Sequence, residues 1–306
     1  MNSILDDFKL AFKTGNVLNQ IIVINVVVFL FMGVLAVLLT LGGQAELYDQ
    51  ISLNLMLPAD PARFIYKPWT LITHFFFHQG FFHILFNMLW MYWFGKIITE
   101  YLGQNKLLGF YVWGGIGGGL FYLLIYNVLP FFESQVALSV LLGASAGVTA
   151  IVVGAATFQP NFTVQLILIG PVKLKYIAAA SVAISFLQST GTNAGGEIAH
   201  LGGALVGYFG MTQLQKGNDW SKPVVGFVLW VKSLFKPQSK IKVSYRSEKT
   251  QKKQATTKKA APKPKQKSKE ETSQAEIDAI LDKISDKGYD ALSKSEKQKL
   301  FNASKD

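Results

Sequence analysis

Four residues of this 306-residue chain carry groups that could together perform acyl transfer: Ser145, His200, His83 and Asn87. A serine hydroxyl attacks a carbonyl only when a base takes its proton. Ser145 stands in Gly143-Ala144-Ser145-Ala146-Gly147, where small neighbours leave the hydroxyl reachable. His200, in Ala199-His200-Leu201-Gly202-Gly203 with Gly207 following, is a candidate for that base. His83 and Asn87 are four residues apart and share one face of a helix. Their side chains can donate to a developing oxyanion. Nucleophile, base and oxyanion donors are the set that acyl transfer needs. Each group also has a plainer reading. Gly143 and Gly147 form a small-xxx-small ridge, beside which a serine often bonds its own backbone. His200, or the pair His83 and Asn87, could serve only as hydrogen-bond partners between helices.

The elements that must position these groups are apolar. Half the residues are hydrophobic, 13% are aromatic and 16% are charged, against about 25% charged in an average soluble domain. That excludes a disordered chain and argues against an ordinary cytosolic enzyme. The absence of cysteine excludes disulfides, Cys-ligated zinc, iron–sulfur clusters and cysteine nucleophiles. Apolar runs suited to crossing a bilayer fall at about 17–41, 81–102, 107–129, 136–158, 174–187 and 198–214. The first is too long for a signal peptide and lacks a cleavage site, so it reads as a retained span. The run 164–169 reads as interfacial or as a continuation of the fifth helix. The expected fold is an all-α membrane protein, a bundle of six transmembrane helices with a basic cytoplasmic tail ending in a small helical module. His83 and Asn87 fall in the second span, Ser145 in the fourth and His200 in the sixth. A polar group at membrane depth is costly and therefore a functional candidate. Gly203 and Gly207 give the sixth span a smooth face, expected to meet the Gly143/Gly147 ridge and bring Ser145 to His200.

Charge sets the expected topology. Residues 1–210 hold eight basic and eight acidic residues, and residues 211–306 hold 22 and 11. The positive-inside bias places both termini in the cytoplasm of a multi-pass cell-membrane protein, with 42–80 as a long outward-facing loop. The chain divides into a membrane domain at 1–215, a juxtamembrane amphipathic segment at 216–236, a basic flexible linker at 237–272 and a helix–turn–helix module at 273–306. Ser273-x-x-Glu276 and Ser293-x-x-Glu296 are capping-box patterns in that module, and Gly288 fits a helix stop.

Gly-Ala-Ser with a small residue next, Ala-His-x-x-Gly-x-x-x-Gly two spans later and His-x-x-x-Asn-Met two spans earlier resemble the rhomboid intramembrane serine proteases of the bacterial, six-span type. Gly143–Gly147, Ala199–Gly207 and His83–Met88 carry the resemblance, and it covers roughly 65–210. His78 and Trp69 match the family's entry to the second span. The resemblance implies a Ser145–His200 dyad without an acid, with an oxyanion held by His83, Asn87 and the Ser145 backbone N–H. It implies substrates that are transmembrane helices of other proteins, unwound at the scissile bond, and water reaching Ser145 from the outer face. The chain departs from the family in three places. Trp69-Thr70 stands where the loop often has Trp-Arg, and Ala146 where Gly is common after the serine. Thr149 replaces an aromatic ring that stacks on the catalytic histidine, so His200 needs another side chain to orient it. The segment near 277–304 resembles a short C-terminal module of unknown role on some bacterial rhomboids.

Other signals point less far. Glu197-x-x-His200 has the spacing of a di-iron ligand pair, but the apolar body has too few acids for a second pair. His74-x-x-x-His78 could hold a metal on a helix, yet the His-Glu-x-x-His of zinc proteases is absent. Gly114–Gly119 sits inside a span, where close helix packing explains it better than a nucleotide. No cofactor, metal or nucleic-acid partner is expected, and the basic tail lies nearest anionic lipid headgroups. The expected function is an intramembrane serine endopeptidase. The alternative is a catalytically silent membrane binder or chaperone on the same fold. A transporter fits worse, because the spans lack a clear internal repeat or a charged pathway.

Overall fold

The computed structural model describes residues 16–166, 170–234, 274–287 and 291–303. The chain forms two compact units, residues 1–239 and 240–306.

The first unit is a helical membrane fold. Helix α1 spans Val17–Leu41, and the Asn16 side chain caps it by accepting from the Asn19 N–H. Helix α5 spans Phe81–Leu102 and α6 Gln104–Val128, with only Gly103 between them. By length and composition, α1, α5 and α6 can each cross a membrane. Helices α7 (Ser145–Phe158) and α8 (Leu174–Gln188) are apolar but shorter, and α9 runs over Ala194–Gln215. Between α1 and α5 lie α2 (Ala45–Leu53), strand β1 (Leu57–Pro58), α3 (Pro61–Tyr66), α4 (Thr70–Thr73) and a 3-10 turn at His74–Phe76.

Two segments depart from the sequence expectation. The apolar run 136–158 is not one helix: its first part holds strand β2 (Val140–Leu141), paired antiparallel with β1, and α7 starts only at Ser145. The reason lies at Gly143, whose φ of 108° breaks the helix and turns its N–H to the His74 carbonyl at 2.8 Å. Hydropathy cannot distinguish a short buried extended segment from a helix. Residues 164–166 of the run 164–169 form a strand rather than a continuation of α8, and 167–169 lie outside the described residues. Thr163–Leu166 (β3) pairs with Gly170–Lys173 (β4) as an antiparallel hairpin whose residues alternate between exposed and half-buried, the period of a strand.

Helix α7 is the centre of the unit, buried from Ala146 through Ala156. Glycines let its neighbours approach. A Cβ at Gly203 would lie 2.1 Å from the Ala146 carbonyl oxygen, and one at Gly207 would lie 2.4 Å from that of Ala150. Gly114 of α6 faces Ala150, and Gly118 faces Ala146 and Ala199. The ridge that meets α9 is therefore Ala146/Ala150. Gly147 points instead at Tyr111 of α6, and Gly143 lies outside the helix.

The segment 42–80 is tied down without the Trp-Arg pair. The Trp69 indole donates to the Asn54 carbonyl at 2.8 Å, and Arg63 donates to the Ala137 carbonyl at 2.9 Å. Thr73 bonds the Leu55 carbonyl, and Asn127 of α6 bonds that of Ala59. At the other end of α6, Lys106 pairs with Asp219, and the Trp113 indole donates to the Trp220 carbonyl. These bonds hold the start of α10 (Ser221–Leu234), whose Phe227, Leu229, Trp230 and Leu234 are exposed. An exposed apolar face beside a membrane domain suits the interface.

The second unit contains α11 (Gln274–Lys287) and α12 (Lys294–Ala303). Ile280 and Leu292 are buried in it, and Lys283 and Lys299 pair with Glu296 and Glu276. Ser293 and Glu296 form a reciprocal capping box: the Ser293 N–H donates to Glu296 at 2.7 Å, and the Glu296 N–H donates to the Ser293 hydroxyl at 3.3 Å. Ser273 and Gly288 lie outside the described residues.

Candidate active site

Ser145 is the first residue of α7, rather than buried midway along a span. The first-turn N–H groups of a helix have no intrahelical partner and carry the positive end of its dipole. The residue before it, Ala144, spends its own N–H on His78 Nε2 at 3.2 Å. That bond and the Gly143–His74 bond fix the approach of the chain to Ser145. His74 belongs to the 3-10 turn and His78 follows it, so the pair does not share a helix face as a metal site would need. Among the described residues no group of three potential metal ligands occurs.

Helices α7 and α9 run parallel where they touch, because Gly203 meets Ala146 and Gly207, one turn on, meets Ala150. His200 precedes Gly203 by about one turn and Ser145 precedes Ala146 by one residue. The shared register puts both at the same end of the pair. Ser145 and His200 line one cavity of about 860 Å³, together with His83 and Asn87 of α5. The His83 ring tip lies 2.8 Å from the position of a Cβ at Gly143, and the Ser145 hydroxyl lies 3.8 Å from the same point. Only glycine leaves the imidazole that room. Asn87 donates to the His83 carbonyl at 3.0 Å, so one amide hydrogen is used and the second is available to a ligand. The walls are completed by Phe82, Phe86 and Trp90 of α5, by 134–135 and 138–142 and by 191–196.

Thr149 also lines the cavity, with its hydroxyl turned back to the Ser145 carbonyl at 2.8 Å. It leaves His200 without a stacking ring. The orientation of His200 comes from elsewhere: Nδ1 lies 3.2 Å from Glu197 Oε2 and 3.1 Å from the hydroxyl of Ser185 on α8. The Glu197 signal was visible in the sequence as Glu-x-x-His. Ser185 had no local signal, because a different helix carries it. With Nδ1 engaged, Nε2 is the nitrogen left for a proton acceptor's role. The arrangement can therefore place a hydroxyl at a helix N-terminus, an imidazole beside the same cavity and two nitrogen donors across from it.

Residues 66–215 match the rhomboid domain, and residues 265–306 match a family of unknown function, DUF6576. Over 159 residues the chain is 32% identical to RHOMBOID-like protein 12, mitochondrial, of Arabidopsis thaliana, which covers 49% of this chain and 47% of that protein. It is 29% identical over 161 residues to Rhomboid-like protein 16, chloroplastic, of the same plant, covering 49% of this chain and 50% of that one. It is 39% identical over 51 residues to rhomboid protease GlpG of Salmonella newport, covering 17% of this chain and 18% of that protein. The chain thus spans about half the length of the plant relatives, and less of GlpG. With a rhomboid domain at 66–215, this chain belongs to the rhomboid family.

Proposed function

We propose that the chain is an intramembrane serine endopeptidase that cleaves transmembrane or juxtamembrane segments of other membrane proteins. The observation that carries this reading is the single cavity lined by Ser145, His200, His83 and Asn87, with Ser145 at the N-terminus of α7. Ser145 Oγ attacks the scissile carbonyl carbon while His200 Nε2 takes its proton. The carbonyl oxygen becomes an oxyanion, held by His83, Asn87 and the Ser145 N–H. The C–N bond breaks as His200 returns its proton to the leaving amine, and an acyl-enzyme remains. Water then attacks, with His200 again the base, and Ser145 leaves with its proton restored. The scissile segment must leave its helix first, since a helical carbonyl is already bonded and shielded.

In this reading six helices cross the membrane. Both termini of a multi-pass cell-membrane protein are cytoplasmic, water enters from the outer face, and the basic residues beyond 215 lie near anionic lipid. The shorter α7 and α8 fit a site open to water on one side. No cofactor takes part. The test compares fragments of membrane proteins from cells holding wild type or Ser145→Ala. Fragments present only with wild type support the reading. Identical fragment patterns, with both proteins equally abundant, favour a silent rhomboid-fold binder. Asn87→Ala should slow cleavage by about 10²-fold, as removal of an oxyanion donor does elsewhere.

A further inference from the structure

We infer that Glu197 is a positioning residue that orients His200 for Ser145, with Ser185 of α8 on the same ring nitrogen. The inference rests on the proposed protease activity for its consequence, though not for its geometry. Glu197 Oε2 and Ser185 Oγ lie 3.2 and 3.1 Å from His200 Nδ1. The Ser185 hydroxyl and the Glu197 carboxylate thus meet the same ring nitrogen from two helices. Ser185 is buried, and the Glu197 side chain is only 12% exposed.

Chemistry then dictates the tautomer. An ionised carboxylate accepts hydrogen bonds and cannot donate. Against Nδ1 it is favourable only when Nδ1 carries the proton, which leaves the Nε2 lone pair for Ser145. The other tautomer would set two lone pairs against each other and aim an N–H at the serine. The carboxylate also favours the imidazolium that forms when Ser145 gives up its proton. His200 lines the cavity and Glu197 does not, so a substrate reaches the ring but not the acid. The other titratable groups lining the cavity are His83 of α5 and Tyr126 of α6. Neither is among the partners of Nδ1. Glu197 thus fills the orienting role left vacant by Thr149, by hydrogen bonding rather than by stacking. No metal is required for this Glu-x-x-His pair.

The test uses the full-length protein in lipid nanodiscs with a fluorogenic transmembrane substrate. Glu197→Gln should lower kcat by about 10- to 100-fold with KM within about twofold, a part of what general-base catalysis contributes. With the carboxylate gone, His200 in Glu197→Gln should lose its preference for the Nδ1–H tautomer, read by NMR of protein with 15N-labelled histidine. Glu197→Asp should recover part of kcat and the Nδ1–H tautomer. A fall in kcat with the His200 tautomer unchanged would show a merely structural role and overturn the inference, as would wild-type kcat in Glu197→Gln. If the variants do not fold, wild-type protein with 15N-labelled histidine decides. Only four histidines occur, and His200 should carry its proton on Nδ1; an Nε2–H tautomer overturns the inference. Wild type that folds but never cleaves defeats the protease reading instead, while the tautomer still tests the contact.

Discussion

Gly203 of α9 rests against the backbone of Ala146 of α7 so closely that a Cβ would meet the Ala146 carbonyl oxygen at 2.1 Å. The obstructing atom is backbone, and no rotamer can relieve it. This contact sets the level of His200 relative to Ser145. Gly203→Ala should destabilise the fold by about 1–3 kcal/mol through overpacking and lower activity more than stability alone explains. Gly33→Ala is the control, since nothing lies within 4 Å of its Cβ position. Thermal unfolding and substrate turnover in nanodiscs check both.

Gly143 carries a second constraint. Its φ of 108° is open to glycine and strained for other residues, and its missing side chain makes space for His83. Gly143→Ala should cost about 1–2 kcal/mol in backbone strain. It should also displace the His83 ring and reduce kcat at an unchanged substrate affinity. Equal kcat in wild type and variant would show that His83 tolerates the movement.

The buried pair Asn25 and Tyr111 joins α1 to the bundle. Asn25 donates to the Tyr111 hydroxyl at 3.2 Å, and that hydroxyl donates to the Phe75 carbonyl at 3.2 Å. Tyr111→Phe keeps the ring and removes both bonds. A loss of about 1–2 kcal/mol is expected, the scale of side-chain hydrogen bonds between membrane helices. Unfolding in detergent measures it, and an unchanged midpoint would mean that the Asn25–Tyr111 pair adds nothing to the hold on α1.

The second unit offers a pH test of its own. The bonds from Lys283 and from the Ser293 N–H and hydroxyl hold the Glu296 carboxyl down, from 4.5 to about 2. A depressed carboxyl stabilises the fold above its unfolded value, and that contribution is lost as pH falls from 4.5 towards about 2. Amide protection factors in α12 of the full chain should therefore fall over this window. Glu296→Gln should show lower protection factors at neutral pH and little further loss on acidification.

The ends of α1 and α5 were legible in the sequence because polar or glycine residues bound each apolar run: Asn16 and Gly42 for one, Gly80 and Gly103 for the other. The start of α7 was not, since Val136 to Leu142 is as apolar as the helix that follows. What bends it into a strand is pairing with Leu57 and Pro58, some eighty residues away. The hairpin at 163–173 was hidden for a related reason, a short apolar run whose strand character depends on its partner. Of the candidate site, residue types and spacings pointed to Ser145, His200, His83 and Asn87, which line one cavity. The contact of Gly203 with Ala146 in place of Gly143 or Gly147 was beyond the sequence, because helix rotation is set by all the neighbours of α7. The hold of Ser185 on His200 spans two helices and left no spacing to read.

The most direct measurement of the central claim is intact-mass and peptide mapping of the protein after reaction with a fluorophosphonate at neutral pH. One adduct, located on Ser145 in wild type and missing from folded Ser145→Ala and His200→Ala, is the predicted result. Folded wild type that stays unmodified, or an adduct that persists at full rate without His200, would contradict a hydroxyl activated by that imidazole.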